Sequence, residues 1–590
     1  MSLNDILSKY EPLDGFSFDD LLCDLNKLCE DCQSSLNLKA EILAMSFSEG
    51  GFKEWNSFYG PTSSWTRKNT GELIHIPDKK DITSEILDYW LDRINKTDNP
   101  MLKMRYSGLV WDFGKLVTGI EPDFREVKTV FIKSAYDAVK KDKLEHPIIG
   151  VEYLECAILR AISLNNKVLI DDGMNILIKY ISKYSEDKKP GIWALPLRLL
   201  IKHSKTIGAF EMSIICDNED RFERLYKKCQ DRGNETDAYA HLLIDEATLL
   251  ADYYKLKNNN DKILDILSRT LEGVGQSFAL RGAMWAQIML EKMQEVYRRY
   301  NCDKQANRLY IEIQKLGSKV ISEIIPNEIS LPLDRKAMND YFDYLLQGSN
   351  KEVLDTYILE YLPRLSVEKE RQKEENAKAP LLDLVHTVIF DWAGMPISHI
   401  GNGENAEKNK LSYGIYRRML ILSFLMQIHI EKMKEKGIYT YDSIIDRFKN
   451  SESIDDKQRM QLERGLKAYF DADYLVACHL LVPMFESSLR RLAALCGVEV
   501  MSANKDGGNE YKTMDVLLEK LKESKNIPND VFIYFQNVFT DKFGWNIRNL
   551  ISHGLLQSEA FNKTMADRIV HAFITLTMIK VEPMADNSNV

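Results

Sequence analysis

One short segment near the C-terminal end of the sequence contains three side chains suited to chemistry on a phosphate ester. The stretch DKFGWNIRNLISHGLL, residues 541–556, includes Arg548, Asn549 and His553. Imidazole titrates near neutral pH, so it can accept a proton and return it, and guanidinium offers a permanent planar charge for a phosphate. The combination indicates acid–base chemistry beside a bound phosphate.

Helical geometry limits how these side chains can act together. Gly544 and Asn546 predict a turn and a helix start just before Arg548. Asn549 and His553 are four residues apart and share a face, whereas Arg548 and His553 are five apart, about 140° around an ideal helix. Arg548 and His553 therefore meet one phosphate only across a cleft or on a distorted helix, which implies a partner surface.

A second group of ionisable side chains lies on a longer predicted helix. In HLLVPMFESSLRRLAALCG, apolar residues recur every three or four positions up to Cys496, and Gly497 predicts the helix end. On the adjoining face lie His479, Glu486 and Arg490, at spacings of 7 and 4. These residues are candidates to support a site, or they form a solvated face with a Glu486–Arg490 ion pair.

The Arg–His spacing alone is a weak signal, because a short motif recurs by chance in a chain of this length. Arg198 and His203 have the same separation within PLRLLIKH, but no asparagine follows that arginine and no glycine follows that histidine. We interpret this pair as structural. The alternative for the C-terminal motif is that Arg548 makes a surface ion pair and His553 is a core histidine.

The longer string RNLISHG resembles the RNxxxHG motif of a helical family that includes the endoplasmic-reticulum membrane-associated RNA degradation protein. The stretch 479–497 also resembles the first long helix of that family. Together the two segments resemble the HEPN superfamily, with its R-x(4-6)-H motif. The resemblance covers about 130 residues well, the connector from 380 weakly, and the first 360 only as a generic helical companion.

The resemblance implies a four- or five-helix bundle that dimerises side by side and brings two motifs to one cleft, often as a metal-independent ribonuclease. The family roles fall on Arg548 and His553, with Asn549 orienting the motif and Glu486 supporting it. Some members of the superfamily only bind or scaffold. A binding or dimerisation module on a helical adaptor therefore stays open beside the enzyme.

The residue types suit RNA cleavage by the 2′-hydroxyl. That reaction needs a group that takes a proton, another that protonates the leaving 5′-oxygen, and fixed positive charge for the phosphorane. Two copies of His553 in a dimer supply the base and the acid, Arg548 supplies the charge, and the helix start near Asn546 adds a partial positive charge. No carboxylate cluster suggests a two-metal nuclease, so we expect no cofactor or metal and predict activity in excess EDTA.

The elements that hold these residues are predicted to be all helical. From about 15 to 362 apolar residues recur every three or four positions, which predicts an irregular, solenoid-like helical array without a fixed repeat. The predicted division is an N-terminal array for sensing or partner binding at 1–365, a linker and connector helices at 366–451, a HEPN-like bundle at 452–583 and a disordered tail at 584–590.

Composition sets the remaining expectations. The 590 residues carry 78 Lys and Arg against 88 Asp and Glu, a net charge of −10, so any polyanion site must be local. The nine cysteines are scattered, and no apolar run is long enough to cross a bilayer. We expect a cytoplasmic protein without a membrane partner. By analogy, a nuclease joined to a large helical region indicates a toxin or anti-phage defence effector whose N-terminal region recognises a protein or ligand trigger.

Overall fold

The chain is all-α, as its apolar periodicity predicts. The computed structural model describes residues 2–31, 35–67, 72–119, 125–231, 236–325, 334–378, 387–391, 393–400 and 405–580. Helices dominate these residues, and the strands among them form three two-stranded antiparallel hairpins. The tail predicted at 584–590 lies outside the described residues.

Two compact units make up the chain, Met1–Glu312 and Ile313–Val590. The functional boundaries that the sequence places after residues 365 and 451 stay predictions. The helices and strands of the first unit are α1 Leu3–Tyr10, α2 Phe18–Asp31, α3 Leu36–Ser46, β1 Ser63–Thr66, β2 Leu73–Ile76, α4 Ser84–Lys96, α5 Pro100–Thr118, α6 Arg125–Lys141, α7 Pro147–Ser163, α8 Lys167–Tyr184, α9 Pro190–Trp193, α10 Leu195–Ile207, α11 Glu211–Gln230, α12 Thr236–Leu256, α13 Asn260–Gly275, α14 Phe278–Arg281 and α15 Ala283–Arg299.

Helix α16 spans the boundary between the units at Asp303–Glu323. The remaining helices and strands of the second unit are α17 Arg335–Leu345, α18 Asn350–Glu360, α19 Leu365–Lys378, β3 Thr387–Phe390, β4 Pro396–Ile400, α20 Ala406–Glu435, α21 Tyr441–Lys449, α22 Arg459–Phe470, α23 Tyr474–Leu495, β5 Met501–Ala503, β6 Asn509–Tyr511, α24 Met514–Glu523, α25 Asn529–Phe539, α26 Ile547–Ser552 and α27 Lys563–Leu576.

Helix α23 is central to the second unit, where it packs against α22, α24, α26 and α27. Its buried Phe485 stacks on Phe539 of α25, with ring centroids 4.1 Å apart, and meets Phe535 and Phe573 edge to face. The aromatic side chains of α25 that contact Phe485 therefore belong to the core. Through α23 and α25, this core supports the short helix α26 that carries the candidate motif.

The segment that the sequence predicts to be a linker and connector helices also holds a hairpin. Strands β3 and β4 pair antiparallel, with Thr387 opposite Ile400. The turn between them closes with a hydrogen bond from the Asp391 N–H to the Met395 carbonyl and has Gly394 in the left-handed region, at φ 77°. Val388 and its neighbours have strand propensity, but four residues are too few for an alternating pattern to stand out.

Two histidines lie deep in the core of the second unit. His571 Nδ1 lies 2.5 Å from the hydroxyl of Tyr534, and His429 packs against aromatic rings that include that of Tyr357. Neither ring nitrogen of His429 has a hydrogen-bond partner among the described residues. Burial lowers the pKa of His571 to about 3 and that of His429 to about 4, so both are neutral near pH 7. His571 is therefore a structural residue of the core.

His429→Leu is expected to make the free energy of unfolding fall less steeply as the pH is lowered. The pKa of His429 is about 4 in the fold and near 6.5 in an unfolded chain, so acid stabilises the unfolded state as pH falls from 6.5 towards 4. On going from pH 7 to pH 5, the wild type should lose about 2 kcal/mol more unfolding free energy than the leucine variant loses. Urea unfolding of the full chain at both pH values measures this difference.

The control for that experiment is His553→Leu, because His553 is an exposed histidine of the same unit. We expect its unfolding midpoint to follow that of the wild type at both pH values. An equal response of the His429 and His553 variants to acid would contradict the role given to burial.

Candidate functional site

The motif helix α26 is short and takes its direction from the residues around it. Its N-cap, Asn546, adopts the left-handed conformation at φ 50° and ψ 29°. Just before it, the Trp545 N–H donates to the Asn537 carbonyl over 2.8 Å. A Cβ at Gly544 would lie 2.2 Å from that same carbonyl oxygen, so only glycine fits there. The predicted turn and helix start are confirmed, but six residues make fewer than two turns and offer little helix dipole.

Arg548 is held by an ion pair that links α26 to α23. Its Nε donates to Glu486 Oε2 over 2.9 Å, and its Nη1 donates to Asn549 Oδ1 over 3.0 Å. Glu486 also accepts from Arg490 Nη2 over 3.0 Å through its other oxygen, which agrees with the alternative of an ion pair along α23. The side chain of Glu486 is 16% exposed and that of Arg548 is 24% exposed. One carboxylate therefore orients two guanidinium groups at the surface of the bundle.

Asn549 fixes the motif from the other side. Its Nδ2 donates to Asn546 Oδ1 over 2.8 Å and to the Thr540 carbonyl over 3.4 Å. Its Oδ1 accepts the bond from Arg548. Because an amide both donates and accepts, one side chain joins the helix cap to the arginine. The orienting role that the resemblance implies for Asn549 agrees with these contacts.

Arg490 lies further along the same charged group. Its Nη2 also donates to the Lys512 carbonyl over 3.2 Å, and its guanidinium lies over the Tyr511 ring at 5.1 Å. These contacts join the β5–β6 hairpin to Glu486. Arg490 is thus a supporting residue that helps to position the carboxylate.

His553 differs from the other motif residues because its side chain is exposed. It is the C-cap of α26, where its N–H donates to the Asn549 carbonyl over 3.0 Å, and Gly554 follows at φ 64°. Within the described residues we find no hydrogen bond, ion pair or ring contact to its imidazole. The alternative of a core histidine is therefore wrong, whereas the alternative of an ion-paired Arg548 agrees with the Glu486 contact.

His479 lies on α23 but is engaged elsewhere. Its Nδ1 is 2.8 Å from the Leu475 carbonyl, and its ring stacks on Phe561 with centroids 4.8 Å apart and planes 29° apart. No recorded contact in the described part of the chain joins it to Glu486 or Arg548. The three residues predicted to share one stripe therefore divide into a bonded pair and a separate aromatic stack.

The second Arg–His pair of the chain has a different setting. Arg198 and His203 lie in α10, and His203 has the non-helical values φ −130° and ψ 34° at a kink. No counterpart of the Glu486 and Asn549 contacts is recorded around this pair in the described residues. Equal spacing thus gives different geometry, and the pair is a natural control for the motif.

A cavity of about 450 Å³ opens beside α26, and the sequence interpretation missed it. Asn546 and Leu550 of the motif segment line it, together with aromatic residues that include Trp545 and Tyr416. The one signal in the sequence is a tryptophan directly before the helix cap. No spacing rule connects that tryptophan to a tyrosine more than a hundred residues earlier.

Comparison with protein-family models, with curated proteins and with solved structures found no match. Among the described residues, no three or more His, Cys, Asp or Glu side chains are grouped as metal ligands would be. No helix in the described ranges combines the length and apolarity needed to span a bilayer. The chemistry of the site therefore has to be argued from its own residues.

Those residues provide a fixed cation and a free imidazole. Two of the three guanidinium nitrogens of Arg548 bond to Glu486 and Asn549, and no bond is recorded for Nη2 within the described chain. That nitrogen is available to a phosphate oxygen. The His553 imidazole is accessible for proton transfer.

Proposed function

We propose that the protein is a metal-independent endoribonuclease of HEPN type, with a composite site formed by two copies of Arg548 and His553 in a homodimer. The observation that supports this proposal most strongly is the contrast between the two side chains. Arg548 is immobilised by Glu486 and Asn549, whereas His553 is exposed and unbonded in the described structure. A fixed charge and an accessible proton carrier are the two parts that the reaction needs.

The geometry of α26 favours a dimer over a single-chain site. Arg548 points to Glu486 on α23, and His553 lies five residues further on, about 140° around the helix. One chain therefore presents its arginine and histidine in different directions. A second copy across a cleft brings a histidine to each side of one phosphate.

Each group has a defined part in the proposed reaction. One His553 takes the proton of the ribose 2′-hydroxyl, and the 2′-oxygen attacks the adjacent phosphorus. Arg548 stabilises the negative charge of the phosphorane. The bond to the 5′-oxygen breaks as the other His553 protonates that oxygen, which leaves a 2′,3′-cyclic phosphate and a 5′-hydroxyl. The two histidines end in exchanged protonation states.

The biological setting is part of the same proposal. A cytoplasmic toxin or anti-phage effector would need its nuclease held inactive until a trigger arrives, and the helical region at 1–365 is the proposed receptor for a protein or ligand trigger. This assignment rests on the analogy with such systems, because architecture alone does not fix a biological role.

A non-catalytic HEPN-like module for dimerisation or for RNA or nucleotide binding, on a helical adaptor protein, is the second candidate. The ion pair of Arg548 favours it, because Glu486 offsets part of the positive charge offered to a phosphate. Such a module would bind RNA or a partner through Arg548 and release no cleavage products. Product analysis therefore separates the two candidates.

Cleavage of RNA by the full-length chain is expected to continue in excess EDTA, because imidazole and guanidinium supply the acid, the base and the charge. The measurement is gel analysis of a labelled RNA with and without the chelator, followed by assignment of the product ends. We expect 2′,3′-cyclic phosphates and 5′-hydroxyls at an unchanged rate. Loss of cleavage in EDTA with recovery on adding Mg²⁺ would contradict the proposal.

A further inference from the structure

We infer that the cavity beside α26 is a binding pocket for one unstacked nucleobase of the RNA strand. This inference rests on the proposed function for the identity of the polymer. The cavity itself has the size and lining of a site for a planar ligand. Its volume of about 450 Å³ falls in the range of ligand sites, and its walls combine aromatic rings with an unsatisfied donor.

Three of the aromatic side chains that line the cavity contact one another. Tyr413 and Tyr416 stack with centroids 5.9 Å apart and planes 27° apart, and Tyr416 meets Trp545 edge to face at 5.9 Å. Flat aromatic surfaces bind bases by stacking without regard to sequence, since every base has a π face. The arrangement therefore suits a planar heterocycle.

The cavity lining is partly polar, with Asp391, Lys542, Asn546, Glu559, Asn562 and Thr564 beside the indole of Trp545. Its Nε1 is buried and has no hydrogen-bond partner in the described structure. The guanidinium of Arg568 lies over the Trp545 ring, 5.9 Å from its centroid, and is itself buried and bonded to the Met419 carbonyl. An unsatisfied buried donor costs free energy, and a ligand acceptor that reaches this N–H would offset that cost. A ring nitrogen or carbonyl of a base is such an acceptor, whereas a hydrocarbon ligand has none.

The position of the cavity relates it to the motif. Asn546 and Leu550, which line it, are four residues apart and share one face of α26. His553 follows Leu550 by three residues on that face, and Leu556 lines the cavity again. A base held in the cavity therefore places its neighbouring phosphate on the side of α26 that carries His553. This arrangement suits a nucleotide next to the scissile linkage.

The test blocks the cavity without removing any core contact. Leu420 lines it and is 47% exposed on α20, so Leu420→Trp fills the space from the surface. Phe424 lies one turn along the same helix, is exposed, and is outside the cavity lining, so Phe424→Trp is the matched control. Both changes are made in a full-length His553→Ala background, so that RNA is bound and not cut.

Binding is measured by fluorescence anisotropy with a short labelled RNA and with a series in which each nucleotide in turn is abasic. We expect one abasic position to weaken binding at least about tenfold in the Phe424→Trp control. The same position should have no effect in Leu420→Trp, which should bind the intact RNA as weakly as the control binds the abasic one. The inference would be overturned if no abasic position weakened binding, or if the two variants bound the intact RNA equally well.

Cleavage by the same two variants with His553 restored separates this inference from the proposed function. Cavity-dependent binding without any cleavage supports the pocket and contradicts the nuclease. If the protein cleaves RNA and Leu420→Trp changes neither cleavage nor binding, the nuclease is supported and the pocket is overturned. Trp545→Phe keeps the ring and removes the N–H, so weaker RNA binding by a folded Trp545→Phe variant supports the hydrogen bond, and unchanged binding overturns it.

Discussion

His553→Ala is expected to reduce RNA cleavage by at least about 10³-fold and to leave the fold intact. General acid and general base catalysis each contribute typically 10²–10⁴-fold, and one substitution removes both groups of the proposed homodimer site. The side chain is exposed and unbonded in the described structure, so the unfolding free energy should change by less than about 0.5 kcal/mol. Single-turnover cleavage rates and urea unfolding of the same preparation measure the two effects.

The control for this experiment is His203→Ala. It removes a histidine with the same spacing from an arginine, but one that lies at a kink of α10 in the first unit. We expect its cleavage rate to match that of the wild type. If His553→Ala cleaves as fast as this control, His553 has no part in the reaction, and the ribonuclease assignment to this site is wrong.

Arg548→Ala is expected to lower the cleavage rate by about 10²–10³-fold, because it removes the charge that faces the phosphorane in the proposed reaction. The loss should appear mainly in kcat, since the negative charge on the phosphate grows in the transition state. Arg548→Lys keeps the charge but loses the planar fork that bonds Glu486 and Asn549 and that would bond a phosphate in the proposed reaction. Its rate should fall between those of Arg548→Ala and the wild type.

Arg198→Ala is the matched control for the arginine and should cleave as the wild type does. A change in KM for Arg548→Ala without a change in kcat would assign the residue to substrate binding alone. RNA binding that depends on Arg548 in a wild-type chain that makes no products would favour the binding module over the enzyme.

Much of the fold follows from local pattern. The periodicity of apolar residues predicts α23 and its end, and the four-residue spacing of Glu486 and Arg490 predicts their ion pair. Gly544 and Asn546 predict the turn before α26, because these residues tolerate a close backbone approach and a left-handed conformation. In each case the residues that interact are near one another in sequence.

The parts that were not predicted depend on contacts between distant segments. Glu486 and Arg548 are 62 residues apart, and helical spacing gives the face of each helix but not which faces meet. His479 was predicted to share a stripe with Glu486. Its ring instead stacks on that of Phe561, which belongs to a different segment of the chain. The cavity beside α26 likewise combines residues of α20 with the motif segment. Tertiary packing, rather than propensity, decides these arrangements.

Because α26 is so short, the RNLISHG sequence cannot be moved to another protein by itself and keep its geometry. A helix of six residues does not hold its shape alone in water, and here Asn537, Thr540 and Glu486 supply the contacts that orient it. Grafting the seven letters onto a loop of another scaffold would transfer the functional groups without their geometry. An engineer who wants this site must move two supporting helices along with it.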